Sequence, residues 1–211
     1  MEKKDSGIIL SIKDVSKSFP GVKALDNVSI DIARGIVHGI VGENGAGKST
    51  LMKILSGVYT KDTGTVVFDG ETIEHTTPIE SLNRGLSIIY QEFNLVNTMS
   101  VGENIFLGRF AEMHGMRGTH AEARKLLDSI GCSIDTHTLV GDLSAAEKQM
   151  VEITKALSFQ SKLIIMDEPT SSLTSDELNQ LFEIIGDLKA RGVSIIYISH
   201  KLDEIFELCD I

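Results

Sequence analysis

Residues 36–50 read Ile-Val-His-Gly-Ile-Val-Gly-Glu-Asn-Gly-Ala-Gly-Lys-Ser-Thr, and this stretch decides the fold. Residues 36–41 are rich in β-branched and apolar types, which predicts a strand. Past Thr50, Leu51, Ile54 and Leu55 recur at helical spacing until Gly57 ends the run. Between strand and helix stand Gly42, Glu43, Asn44, Gly45, Ala46, Gly47, Lys48 and Ser49, a match to G-x-x-x-x-G-K-[ST]. Each residue type has a reason to be there. Glycines let the backbone curl with its N–H groups pointing inward. The helix behind adds the positive end of its dipole, so the turn becomes a cradle for phosphate. Lys48 can reach the β- and γ-phosphates of a nucleotide, and the Ser49 hydroxyl can ligate Mg²⁺.

A second signal lies downstream. Four apolar residues, Leu163, Ile164, Ile165 and Met166, run into Asp167 and Glu168, and Pro169 then turns the chain away. A carboxylate ending a strand beside the phosphate loop can hold Mg²⁺, directly or through water. The carboxylate next to it can orient and deprotonate an attacking water. Read this way, the strand of Asp167 ends beside the phosphate loop.

Outward from these two motifs, short β-rich runs alternate with helical ones, the pattern of an α/β domain with a largely parallel sheet. Strands are expected at residues 8–12, 28–32, 36–41, 65–69, 87–90, 163–166 and 194–198. The last three are apolar throughout, as suits central strands covered on both faces. Three helix starts carry a capping box: Thr119 with Glu122, Ser144 with Glu147, and Thr174 with Glu177. Residues 100–159 read as a helical insertion in the α/β core. Met113, His114, Met116 and His120 match no metal-ligand spacing and read as a mobile, solvated connection.

The chain's 211 residues, 42% of them apolar, suit one globular domain with a sizeable core. Lys and Arg total 20 against 30 Asp and Glu, a formal charge of −10. So acidic a chain is a poor partner for nucleic acid, and any phosphate it binds must be held by local geometry. Cys132 and Cys209 form no CxxC, which points to a reduced compartment. No apolar run approaches the ~20 residues of a membrane span, and the start lacks a signal-peptide core. A cytoplasmic protein, able to sit on a membrane partner, is expected.

With these residues in view, the chain resembles the ATP-binding cassette family along its whole length. Gln91, after the apolar run of residues 87–90, resembles the Q-loop glutamine. Residues 143–149, Leu-Ser-Ala-Ala-Glu-Lys-Gln, stand where the family has its LSGGQ-like signature. Residues 171–174, Ser-Ser-Leu-Thr, resemble the D-loop, and His200 the switch histidine. SKSFPGVKALDNVS, YQEFNLVNTMSVGENIFLGR and QMVEITKALS are similar to the ATPase subunits of bacterial monosaccharide importers of the ribose, galactose or xylose type. Those subunits usually carry two fused cassettes, and this chain resembles the first, cut short at its C-terminal end.

The resemblance implies a P-loop NTPase fold: a RecA-like core with an antiparallel β-subdomain and an α-helical subdomain. It implies core residues at 1–91 and 160–211, with the Q-loop and helical subdomain at about 92–159. Phe19 would stack on adenine through its π-face. Lys48, Ser49, Thr50 and the loop amides would hold the phosphates and Mg²⁺. Gln91 would touch the metal and the attacking water, Glu168 would be the general base, and His200 would contact the γ-phosphate. Ser144 would reach the γ-phosphate bound to an opposite cassette, so that two ATP are sandwiched between two cassettes. Implied partners are that second cassette, transmembrane permease subunits docked near residues 92–104 and the helical insertion, and, indirectly, a periplasmic or extracellular sugar-binding protein. The site of action would be the cytoplasmic face of the membrane.

Two departures stand out. Ala145 and Ala146 replace the signature glycines and Glu147 replaces its glutamine, while Thr174 replaces the D-loop aspartate. A weakened signature motivates a rival expectation, a regulatory cassette that hydrolyses slowly. A soluble cassette ATPase acting outside transport is a further alternative.

Overall fold

The computed structural model describes residues 7–43, 45–113, 115–171 and 173–211, so the expectations for Asn44, His114 and Ser172 lie outside the described residues. The described residues open with two 12-residue strands, β1 (Ile8–Phe19) and β2 (Val22–Ala33), joined at Pro20 and Gly21 into an antiparallel hairpin. The segments 8–12 and 28–32 expected from sequence are only parts of these strands. The register shifts between Ile12 and Val15 and again between Val15 and Lys17, and Asp14 and Asn27 adopt positive φ of 51° and 49°. Such bulges break the two-residue alternation on which strand recognition depends.

β3 (Val37–Ile40) leads into the glycine turn and α1 (Lys48–Leu55). β4 (Thr63–Phe68) and the two-residue β5 (Glu71–Thr72) return to the hairpin, making an antiparallel sheet in the order β2-β1-β4-β5. α2 (Pro78–Arg84) starts at a Thr77–Glu80 capping box with proline in its first turn, a start signal the sequence reading missed. β6 (Leu86–Ile89) follows. The helical stretch then supplies α3 (Val101–Ile105), α4 (Met116–Ser129) and α5 (Ala145–Ser158). β7 (Leu163–Asp167), α6 (Ser175–Ala190), β8 (Ser194–Ile198) and α7 (Leu202–Leu208) complete the chain.

The second sheet is wholly parallel, in the order β3-β8-β7-β6. One expectation changes here. β6 is an edge strand, not a central one; it is buried because helices cover the sheet. β8, last of the strands in the chain, is inserted between β3 and β7. Every residue of β8 is buried, as are the four apolar residues of β7. At roughly 1.5–3 kcal/mol per fully buried large apolar side chain, these strands are the chief anchor of the sheet. One face packs against α1 and the antiparallel sheet, through Leu163, Ile165, Ile196 and Ile198. The other packs against α5 and α6, through Ile164, Met166, Ile195 and Tyr197. A third apolar cluster, with Val101, Ile105, Leu127 and Val151, unites α3, α4 and α5.

The capping boxes at Ser144 and Thr174 form as expected, but the one at Thr119 does not. α4 begins a turn earlier, at Gly115, and Thr119 lies buried inside it with Oγ1 donating to the Gly115 carbonyl at 3.1 Å. Met116 and His120 accordingly belong to a helix rather than a loop, and His120 stacks on His137 at 3.8 Å. Among the described residues no group of three or more His, Cys, Asp or Glu is placed to hold a metal ion.

Candidate nucleotide site

All four strands of the parallel sheet run the same way, so their carboxyl ends share one edge, where parallel α/β sheets place their ligands. Ile40 pairs with Ile198, and Ile198 with Asp167. The segments that follow β3, β8 and β7 therefore emerge side by side: the glycine turn with Lys48, the loop with His200, and the Asp167–Glu168 pair.

The turn is tightly fitted. Gly47 sits at φ 89°, and a Cβ there would lie 2.5 Å from the Ala24 carbonyl oxygen and 2.8 Å from Leu25, so only glycine lets the turn pass under β2. Gly45 shares that φ, and the Ala46 amide donates to the Glu43 carbonyl at 3.2 Å. Lys48 Nζ folds back across the turn and donates to the Gly42 carbonyl and, at 3.0 Å, to that of Glu43. The turn thus holds its own cation over the mouth of α1.

Phe19, Val22, Gly45, Ala46, Gly47, Lys48, Ser49, Thr50, Gln91, Asp167 and Glu168 border one open cleft of about 370 Å³, large enough for a small ligand. Ser49, Gln91 and Asp167 also line its continuation toward Asn94. Burial, with the negative charge of Glu168 adding to it, pushes the Asp167 carboxyl above the usual carboxylate range, while Lys48 pulls it back. Glu168 is held at φ 48° with its amide donating to Ile198, and its Oε1 lies 3.1 Å from His200 Nδ1. Non-glycine residues rarely adopt that backbone, and such conformations cluster where function over-determines them. Phe19 is half-buried at the cleft rim, its ring edge-on to Tyr59 at 5.3 Å and 65°, with Lys17 Nζ 5.6 Å away. Tyr59 carried no sequence signal, since it meets Phe19 across forty residues of chain.

Ser144 is not part of this cleft. It caps α5: its Oγ accepts from the Glu147 amide at 3.3 Å, and the Glu147 carboxylate accepts from the Ser144 amide at 2.8 Å. Ser144 itself is exposed at this helix start.

A glycine cradle after one parallel strand, with acidic and imidazole groups after two others, defines a P-loop nucleotide-binding cassette. The family model described as ABC transporter matches residues 25–171, and the chain belongs to that family. A Geobacillus kaustophilus (strain HTA426) protein, provisionally named a ribose/galactose/methyl galactoside import ATP-binding protein, is 51% identical over 207 residues. The alignment covers 96% of this chain and 41% of that protein. The galactose/methyl galactoside import ATP-binding protein MglA of Escherichia coli (strain K12) is 48% identical over 208 residues, 96% of this chain and 40% of that one. The chain thus spans about two fifths of the length of the curated relatives it matches. A solved ATP-binding cassette of an ABC transporter, in its ADP conformation, superposes with a TM-score of 0.84 at 30% identity, over 96% of this chain and 85% of the other.

Proposed function

We propose that this chain is a cassette that binds and hydrolyses ATP to power import of a monosaccharide across the membrane. The observation that carries the reading is the meeting, at one sheet edge, of the Lys48 turn, Asp167, and the Glu168–His200 pair 3.1 Å apart. Likeness to the sugar-import relatives supplies the substrate class.

In this reading Phe19 stacks on adenine, and the amides of residues 42–47 with Ser49 and Thr50 take the phosphates, their charge balanced by Lys48. Ser49, Gln91 and Asp167 present oxygens to the same cleft, the donor set a magnesium ion takes. Bound there, the ion supplies neutralising charge to the phosphates. Glu168 takes the proton of an attacking water as that water's oxygen bonds to the γ-phosphorus and the bond to the ADP oxygen breaks. His200 holds the Glu168 carboxylate and faces the γ-phosphate. Ser144, turned outward, serves the nucleotide of a second cassette. Residues 92–159 act as a helical subdomain that docks on permease subunits at the cytoplasmic face, served from outside by a sugar-binding protein. No nucleic acid is involved, in keeping with the charge of −10. No helix of the described residues is long and apolar enough to cross a membrane.

In the full-length protein assembled with its membrane subunits, Glu168→Gln keeps ATP binding by calorimetry but loses hydrolysis by ~10²–10⁴-fold. Lys48→Ala loses both. Hydrolysis by Glu168→Gln at the parent rate would falsify the base assignment. A regulatory, slowly hydrolysing cassette is a second reading, favoured by the capping box that occupies the start of α5. A parent turnover far below that of transport removes the first reading and leaves the second.

A further inference from the structure

Among the described residues, the two loops that bring Glu168 and His200 together are not joined by backbone pairing beyond Glu168. What gathers most side chains from both is one carboxylate. Glu204, in the first turn of α7, is 5% exposed, and donors from both loops converge on it. Thr170, two residues past Glu168, donates through Oγ1 at 2.7 and 2.9 Å to its two oxygens. Tyr197, at the end of β8, donates its hydroxyl at 2.8 Å, and Ser199 donates Oγ at 3.0 Å. Lys201 places Nζ at 3.0 Å and donates its amide to Ser199 Oγ at 3.1 Å. Ser199 and Lys201 are the residues on either side of His200. Thr170, Tyr197 and Ser199 are themselves buried.

We infer that Glu204 is a positioning residue for hydrolysis: it pins the loop of Glu168 and Thr170 to the loop of Ser199, His200 and Lys201, and so sets the contact between Glu168 and His200. The inference rests on the hydrolytic reading above and adds a part to it. A buried carboxylate costs folding free energy unless its lone pairs are filled, and here four side chains fill them. Burial works to raise the Glu204 carboxyl, but hydrogen bonds from Thr170, Lys201, Tyr197 and Ser199 outweigh it and hold the group below the usual glutamate range. The carboxylate is therefore charged near neutral pH and attracts all four donors at once. No other group among the described residues bridges these two loops through side chains apart from the Lys201–Thr170 contact at 3.4 Å and the Glu168–His200 contact itself. Glu204 stands off the nucleotide cleft, so it acts through the geometry of others.

The test uses the full-length protein in its assembled transporter. Glu204→Ala is expected to lower kcat by ~10–100-fold, the scale of a small misplacement of catalytic groups, with nucleotide affinity within twofold of the parent because the Lys48 turn is untouched. Thr170→Val keeps volume and removes the hydroxyl from the other loop. It should reproduce the same split of kcat from affinity, while Thr170→Ser should restore most of the rate. In a His200→Ala background, Glu204→Ala should add little further loss, since residues that act as a unit are not additive. A Glu204→Ala rate within twofold of the parent overturns the inference. So does an equal loss with and without His200, or a Thr170→Ser rate as low as Thr170→Val. Should Glu204→Ala not fold, the two Thr170 variants decide alone. If the parent itself binds nucleotide without hydrolysing it, the functional reading fails, and the inference with it.

Discussion

Glu152 shows how one side chain can bind a functional loop. It sits on the buried face of α5, and its Oε1 accepts the Asn94 amide at 2.7 Å, while Lys155 Nζ donates to the Asn94 carbonyl at 3.1 Å. The segment after Gln91 is thereby fastened to the helix that starts at Ser144. Burial raises the Glu152 carboxyl above the usual glutamate range, with Lys155 and the Asn94 amide opposing. An acid whose folded pKa is raised destabilises the fold while charged, and the penalty fades as pH falls through that raised value. Glu152→Gln keeps the acceptor and removes the charge. Its Tm should exceed the parent's at neutral pH, by an amount that shrinks as pH falls through the raised value toward the ordinary glutamate range. A variant less stable than the parent at pH 7 would show that the charge itself is needed for the contact. Nothing in the sequence separates Glu152 from a solvated helix acid, because its burial comes from what packs over α5, not from α5. Lys48, Ser49, Asp167 and Glu168, by contrast, were legible at once, since the spacing of a glycine turn and the ending of an apolar strand are local properties.

At the scale of elements, α5 combines two demands at its start. Ser144 and Glu147 close a capping box, which is worth about 1 kcal/mol to the helix. Ala145 and Ala146, its first two residues, favour helix over glycine by up to ~1 kcal/mol each. The same start, on the reading above, must admit the phosphate of an opposite nucleotide, where a methyl group and a carboxylate are hindrances. Replacing Ala145 and Ala146 with Gly should therefore lower Tm slightly and raise ATP turnover in the assembled transporter; turnover at or below the parent's counts against a weakened signature. The capping pattern was a reliable guide at Ser144 and Thr174 and misled at Thr119. The difference is physical: a Thr-x-x-Glu pattern inside a helix is indistinguishable in sequence, and here Thr119 is buried within α4, its hydroxyl donating to the Gly115 carbonyl one turn back. β1 and β2 were under-read for the opposite reason, because bulges hid continuous strands.

Across the whole molecule, the last residues close onto the strand that feeds the phosphate turn. The Asp210 amide donates to Val37, the Gly39 amide donates to Ile211, and the Asp210 carboxylate accepts the Val37 amide at 2.8 Å and pairs with Lys189. Residues 210 and 211 thus cover the outer edge of β3. Close packing helps: Gly39 leaves room for Cys209, whose thiol burial pushes up to about 11. The Lys189 hydrogen bond and the Val37 amide hold the Asp210 carboxyl below the usual aspartate range. Its stabilising effect is present above the ordinary aspartate pKa and is lost as pH falls through the lower folded value. Asp210→Ala should cost about 1 kcal/mol at pH 7 and progressively less in acid, read by urea unfolding at several pH values. A cost independent of pH would mean that the carboxylate does not carry it. What the sequence determined by itself was the chemistry: a phosphate turn, a pair of acids, the α/β class, and the helical stretch between, each written in neighbours along the chain. What only the tertiary structure decided was adjacency. β8 enters between β3 and β7, and that insertion, driven by burying Ile195, Ile196, Tyr197 and Ile198 on both faces, sets His200 against Glu168 and draws Thr170 and Ser199 onto Glu204. Spatial strand order follows from packing free energy summed over the sheet, which no local pattern of residues encodes.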